Sequence, residues 1–350
     1  MLDRPRPDRP RPDRKSLDRP RPNRPSLDLL KTEPAPFFAA LAEGPEGGAA
    51  QWIEAADGTR LRAVHWGAEG AKGTVLIFTG RTEYAEKYGR LALSLRDAGL
   101  ATLTVDWRGQ GLSGRLRPDR SLGHVGRFAD YQDDVAALVA RGRALKLPEP
   151  WFLLAHSMGG AIGLRALAAG LPVRAVAFSA PMWGIQMGTG LRPVAWTISS
   201  VSRQLGLSHL LAPGQDPLTY VLRCDFAENT LTSDLGAWDY MRAQVAAQPD
   251  LALGGPSLHW LNESLREMRR LMALKAPEVP ALAFVGTDEA IVDPARVHRR
   301  IADWPGARLV TLPGARHEVL METPTIRGRV LEETLAHFAA HAKGVSSSAR

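Results

Sequence analysis

The chain has 350 residues, 45% of them hydrophobic and 23% charged, the balance of an ordinary globular protein long enough for a core domain and a sizeable insertion. Its net charge of +7 is uneven: residues 1–31 hold ten basic and five acidic side chains (+5), and the remaining 319 hold 34 and 32 (+2), so the folded part has no nucleic-acid footprint and no nucleic-acid partner is expected. The lone Cys224 excludes an intrachain disulfide and a cysteine-built metal site, and no apolar run reaches the length of a membrane span.

The chain begins with a pentapeptide repeat, DRPRP, DRPRP, DRKSL, DRPRP, NRPSL. Proline at this density forbids a helix or a sheet ladder, and nothing in it can form a core. Residues 1–33 read as a disordered tail, and residues 344–350 as a disordered C-terminus. The tail is either a basic arm touching anionic lipid, at about 1 kcal/mol per Lys or Arg near the surface, or a dispensable extension. Its interleaved aspartates favour the second. It lacks an apolar h-region, so no signal peptide is read. A cytoplasmic location is expected, with room for peripheral contact at the inner face of the membrane.

From residue 50, "QWIEAADGTRLRAVHW" reads as two strands joined at Asp57-Gly58. Apolar strand-like runs then alternate with helical stretches. "TVLIFTG" precedes a helix over Tyr88–Ala98, "LATLTVDW" one over Asp130–Leu145, and "WFLLAHS" one over Met158–Ala169, before "VRAVAFSAP" closes this half. "ALAFVG" then precedes a helix near Pro294–Ile301, and "ARLVTLPGA" one near Thr323–Ala342. Continuous apolar strands alternating with helices predict a mostly parallel sheet covered on both faces, an α/β fold. The rhythm breaks over 183–271, which holds Trp183, Trp196, Trp238 and Trp260. This segment reads as a helical insertion between two strands, with the core at 34–182 and 272–343. An insertion there would lie over the strand ends, where such sheets place ligands.

"LLAHSMGGAIG" carries the clearest chemical signal. An apolar strand ends at Ser157 and a helix follows at once, the context of a nucleophile elbow, with Gly159 two residues on and Ala155 where the pattern has glycine. The competing reading is a serine N-cap. A serine nucleophile needs a base, and the chain order of this elbow fold is Ser, acid, His. His317, past the last strand in "GARHE", lies in that order; His65, His124, His156 and His259 do not. A second backbone donor would come from "FTGRTEY", where the Arg81 N–H could join the Met158 N–H as an oxyanion hole. The Arg81 guanidinium is left open between phosphate binding and solvation. Three acids, Asp288, Glu289 and Asp293, follow "ALAFVG". Asp293, just before Pro294, suits a helix cap, and Asp288 and Glu289 remain as triad candidates.

Together "FTGRTEYAEKYGRLA", "DWRGQGLSGR", "GHVGRFADYQDD", "LLAHSMGG", "SAPMWGI" and "GARHE" resemble the monoacylglycerol lipase and lysophospholipase branch of the α/β-hydrolases, and the chain is most similar to bacterial lysophospholipases over residues 35–342. The resemblance implies an α/β-hydrolase fold with a helical lid at 183–271, no metal and no organic cofactor. It implies ester hydrolysis through an acyl-enzyme, with Ser157 as nucleophile, His317 as base and the N–H groups of Arg81 and Met158 as oxyanion hole. The family's spacing before "IVDP" places its acid at Glu289. Two departures, Thr79-Gly80 for His-Gly and Glu289 for Asp, resemble the bacterial lysophospholipase branch.

The expected substrate is a single-chain acyl lipid, lysophospholipid or monoacylglycerol, with Trp183, Met187 and Trp260 lining an acyl channel. Against this stand packing roles for each of those aromatics, acyl transfer or small-ester hydrolysis on the same fold, and a non-catalytic binding scaffold. A serine at the elbow argues against the aspartate-nucleophile chemistries of the fold.

Overall fold

A computed structural model describes residues 33–188 and 190–342. The repeat tail, apart from Glu33, and the C-terminal segment lie outside the described residues. A short helix α1 (Ala39–Ala42) leads into the hairpin β1 (Ala49–Glu54) and β2 (Arg60–Trp66). These strands pair antiparallel across the Asp57-Gly58 turn, where Gly58 takes a φ of 82°. The alternation follows: β3 (Thr74–Phe78), α2 (Gly89–Asp97), β4 (Ala101–Asp106), α3 (Tyr131–Ala144), β5 (Trp151–His156), α4 (Met158–Ala168) and β6 (Val176–Ser179). Four helices come before the next strand: α5 (Leu191–Gln204), α6 (Tyr220–Arg223), α7 (Leu235–Ala247) and α8 (Leu258–Met272). The chain then resumes with β7 (Ala281–Gly286), α9 (Pro294–Ala302), β8 (Arg308–Leu312) and α10 (Pro324–His341).

The eight strands form one sheet in the order β1-β2-β4-β3-β5-β6-β7-β8. The first two pairings are antiparallel, and the pairings from β4 through β8 are parallel. Every residue of β3, β4, β5, β6 and β7 is buried, as strands covered on both faces must be. Alternate residues serve opposite cores. Leu76, Phe78, Leu153 and Ala155 join the cluster that includes α3, α4 and α8 residues. Val75, Ile77, Phe152 and Leu154 join the cluster with Leu95 of α2 and Val330 and Phe338 of α10. Each large side chain so buried contributes on the order of 2 kcal/mol.

The insertion divides differently from the boundary the sequence suggested. Trp183 is fully buried against Phe178, and its indole N–H donates to Gly160 O at 3.2 Å. Trp260, Leu265, Met268 and Leu271 of α8 belong to the same core as β3 and β5. The reason lies in α8 itself: its apolar stripe faces α4 and its glutamates are pinned, Glu267 by Arg165 and Glu263 by Arg203. Both Trp183 and α8 therefore pack as core.

Candidate active site

All the chemistry-bearing loops leave the C-terminal ends of parallel strands, where open α/β sheets place their ligands. Ser157 follows β5 with φ 48° and ψ −115°, a conformation that is strained for any residue but glycine. Neighbouring backbone holds it there: its N–H donates to Ser179 O at 3.0 Å, and its carbonyl accepts from Met182 N at 2.8 Å and Gly160 N at 2.9 Å. Gly159 is required by contact, since a Cβ there would lie 2.1 Å from Phe78 O. The turn thus aims the serine hydroxyl above the sheet, at the N-terminus of α4, whose dipole favours negative charge.

His317 reaches this serine from the loop after β8, with Nε2 2.9 Å from Ser157 Oγ. Its Nδ1 lies 2.8 Å from Glu289 Oε2. The second carboxylate oxygen of Glu289 accepts the N–H groups of Ile291 (2.7 Å) and Val292 (3.1 Å), which fixes the acid on the loop after β7. Burial acts to raise the Glu289 pKa, but His317 and these hydrogen bonds outweigh it and hold the carboxyl below its usual value. The loops after β7 and β8 can meet because Gly286 has no side chain: a Cβ there would sit 1.9 Å from Ala315 O.

The other two acids of this segment are accounted for. Asp288 accepts the Thr287 hydroxyl at 3.0 Å, away from the histidine. Asp293 stands at the N-cap of α9 but makes no side-chain cap bond; its carboxylate instead pairs with Arg192 of α5 at 3.1 Å. The capping role expected of it is taken by an ion pair to the insertion.

Two backbone donors stand without an acceptor, one next to Ser157 in sequence and one on a loop that lines the same cavity. Met158 opens α4, and Arg81 follows Gly80 in the loop after β3; among the described residues neither N–H has a hydrogen-bond acceptor. The Gly80 N–H is taken by Glu83 Oε2, and Gly80 O accepts from Gln110 at 2.8 Å, so this loop is braced.

The brace belongs to a buried charged cluster. Lys87 Nζ bonds Glu83 and also Glu318, the latter at 2.6 Å. His156 Nε2 lies 3.5 Å from Glu83 and 3.4 Å from Glu318, and its ring is 4.9 Å from that of His317. Burial lowers the His156 pKa, but Glu318 and Glu83 outweigh it and raise the imidazole above its ordinary value. Burial likewise opposes ionisation of Glu318, yet His156 and Lys87 hold it well below the usual carboxylate range. Glu83, His156 and Glu318 offer ligand atoms within 4.8 Å of one another, but the Lys87 ammonium bonds both carboxylates, so the cluster carries its own cation. Sequence reasoning missed this group. The i,i+4 pair Glu83–Lys87 and the acid next to His317 were its only local signals.

Ser157 and His317 open onto a cavity of about 360 Å³, within the range of small-ligand sites. Its apolar wall includes Leu218, Val221, Leu231, Met241, Val245 and Leu253, all from between β6 and β7. Trp183, Met187 and Trp260 do not line it. Trp260 is buried and donates to the Tyr131 hydroxyl at 3.2 Å, and Met187 packs against the core. The place expected of them beside the serine is held instead by the aliphatic residues of α6, α7 and the adjoining loops. Of the other histidines, His156 is held in the charged cluster by Glu83 and Glu318, while His124 bonds Ser257 at 2.9 Å and His259 bonds Gly126 O at 2.6 Å.

Residues 69–324 match the family described as serine aminopeptidase, S33. Lysophospholipase L2 of Escherichia coli K12 is 33% identical over 304 residues, covering 81% of this chain and 86% of that protein. The probable lysophospholipase L2 of Haemophilus influenzae is 30% identical, covering 75% and 82%. A soluble variant of monoglyceride lipase from Saccharomyces cerevisiae, solved with a substrate analog, superposes with a TM-score of 0.65 at 22% identity, covering 83% of this chain and 95% of that one. With an eight-stranded sheet, an elbow serine and relatives of this kind, the chain belongs to the serine aminopeptidase S33 family of α/β-hydrolases.

Proposed function

We propose that the protein hydrolyses carboxylic esters of single-chain lipids, lysophospholipid or monoacylglycerol, through an acyl-enzyme on Ser157. The observation that carries this reading is the continuous relay from Ser157 Oγ through His317 to Glu289, at 2.9 and 2.8 Å, opening onto a cavity with an aliphatic wall. The Ser157 proton passes to His317 Nε2 as Oγ bonds to the ester carbon, and the carbonyl oxygen becomes an oxyanion facing the Arg81 and Met158 N–H groups. Glu289 holds the imidazole tautomer and stabilises the imidazolium. His317 then gives the proton to the leaving alcohol oxygen as the tetrahedral carbon collapses to the acyl-enzyme. Water enters, loses a proton to His317, attacks the acyl carbon and releases the fatty acid, returning the proton to Ser157.

The curated relatives named for lysophospholipids support this substrate class. The family description also names peptide cleavage. An aminopeptidase needs a carboxylate free to hold the substrate ammonium; of the three acids lining this cavity, Glu83 and Glu318 are occupied by Lys87, and the half-buried Asp216 accepts the Leu218 N–H. That favours an ester.

A peripheral membrane contact fits the surface of α5. Leu191, Val194, Ile198, Val201 and Leu205 recur at helical spacing and are all exposed, Leu191 by 63% and Leu205 by 65%. Such a stripe is the form of an interfacial helix. Among the described residues no helix is long and apolar enough to cross a membrane. The segment from α5 to α7 is then the lid, moving on a base formed by α8.

The test is the rate of the pure protein on lysophosphatidylcholine, monoolein, p-nitrophenyl butyrate and an amino-acid p-nitroanilide. Turnover is expected on the esters, highest on the two lipids. An anilide cleaved faster than every ester would overturn the reading.

A further inference from the structure

Beside the catalytic relay stands a cation that the relay does not use and that, among the described residues, no acid neutralises. Arg62, Lys87 and Arg108 each bind two carboxylates. Arg81 binds none. Its Nη1 donates to Gly254 O at 2.9 Å, its guanidinium carbon sits 5.5 Å from the centre of the Trp260 ring, and Gly123 leaves room for it, since a Cβ there would lie 2.8 Å from Nη1. Its Nε and Nη2 make no hydrogen bond among the described residues and, unlike those of Arg300, are not sealed from solvent. Among the described residues Arg141 and Arg300 also lack an acid, but neither lines this cavity, whereas Arg81 does.

We infer that the Arg81 guanidinium is the receptor for the phosphodiester of a lysophospholipid headgroup. This deepens the lipid-esterase reading above and rests on it. Reach supports the assignment. In the mechanism proposed above the Arg81 N–H faces the oxyanion, which puts its guanidinium one side chain's length from the scissile carbonyl. In a lysophospholipid the phosphate lies one glycerol's length from that same ester. The planar fork left by Nε and Nη2 suits two phosphoryl oxygens. Gly254 O and Trp260 hold the fork in place before substrate arrives, so little side-chain entropy is lost on binding. Burial pushes the guanidinium down to about 10, a desolvation cost that an anion would relieve. The other cation of the wall with no acid among the described residues, Arg223, stands exposed on α6. The rim acid Asp216 turns Oδ1 to the Leu218 N–H at 2.7 Å. A monoacylglycerol offers Arg81 hydroxyls but no anion.

The experiment is the ratio of kcat/KM on lysophosphatidylcholine to kcat/KM on a monoacylglycerol of the same acyl chain, for wild type, Arg81→Gln and Arg81→Lys. Each protein is first titrated with a fluorophosphonate so that only folded, active sites are counted. Loss of one charge-assisted contact should lower the ratio about tenfold or more in Arg81→Gln, with partial recovery in Arg81→Lys. A wild-type arm guards against a variant that does not fold: glycerophosphocholine should inhibit p-nitrophenyl butyrate hydrolysis more strongly than glycerol does. An unmoved ratio in a titratable Arg81→Gln, or equal inhibition by glycerol, overturns the proposal. Inhibition by inorganic phosphate with an unmoved ratio would mark a free-anion site and overturns it too. Wild-type protein that cleaves neither lipid defeats the lipid-esterase reading and this proposal with it; cleavage of both with an unmoved ratio defeats this proposal alone.

Discussion

The two walls of the cavity are built on opposite principles. The wall made by the sheet loops is charged, buried and paired: Glu83, Lys87, His156 and Glu318 bind one another, and Glu289 binds His317 and two backbone N–H groups. The wall made by the segment between β6 and β7 is aliphatic, and the nearby α5 carries an aliphatic stripe that nothing among the described residues covers. The first wall holds atoms to hydrogen-bond tolerance, as proton transfer and oxyanion stabilisation require. The second needs only to exclude water and fit a chain, which weak, non-directional contacts do well. Changes to the first should therefore act on chemistry and stability, and changes to the second on lipid substrates.

The largest effect is expected at Ser157, the proposed nucleophile. Ser157→Ala should lose about 10³-fold or more in kcat, roughly 4 kcal/mol of barrier, with an unchanged circular dichroism spectrum. Glu289→Gln should follow at about 10²-fold or more, because His317 loses the partner that sets its tautomer. Asp288→Asn should cost less than about tenfold. The reverse order of those two would give the acid's role to Asp288.

The charged wall can be broken without touching the relay. Lys87→Met leaves Glu83 and Glu318 buried without their cation. It should destabilise the fold by about 3–5 kcal/mol in urea unfolding. A loss under about 1 kcal/mol would mean that the cluster does not brace the fold. On the aliphatic side, Val194→Ser with Ile198→Ser should lower the rate on lysophospholipid vesicles about tenfold. On p-nitrophenyl butyrate it should stay near wild type, since exposed substitutions cost little stability. Equal losses on both substrates would remove the contrast between the walls.

The smallest expected effect is a pH dependence. The folded pKa of His156 is raised above 6.5. Its contribution to stability is then fully present below 6.5 and fades as pH rises through the folded value, by about 1.4 kcal/mol for each pH unit that separates the two values. Wild-type Tm should fall more than that of His156→Gln between neutral and mildly alkaline pH. Parallel curves would say that the imidazole is neutral in the fold.

How much of this was legible follows from how local each signal was. Ser157 was readable because strand, turn and helix adjoin in sequence, and His317 because the order of the loops is fixed by the order of the strands. Glu289 needed a spacing borrowed from related proteins, since nothing local separates it from Asp288; the structure separates them by which carboxylate turns to the histidine. The cluster of Glu83, Lys87, His156 and Glu318 joins three strand ends, and only tertiary pairing brings it together. Trp183 and Trp260 were misplaced for a related reason. Aromatic content marks a residue that must be covered but not which surface covers it, and α8 turned out to be core. The aliphatic stripe of α5 shows the converse, for its helical spacing was present in the sequence while its exposure was not.

The most direct measurement is mass spectrometry after reaction with a fluorophosphonate. One adduct per chain is expected, mapped to the peptide carrying Ser157 and absent from Ser157→Ala. A stoichiometric adduct on another residue, or an equally labelled Ser157→Ala, would contradict the account.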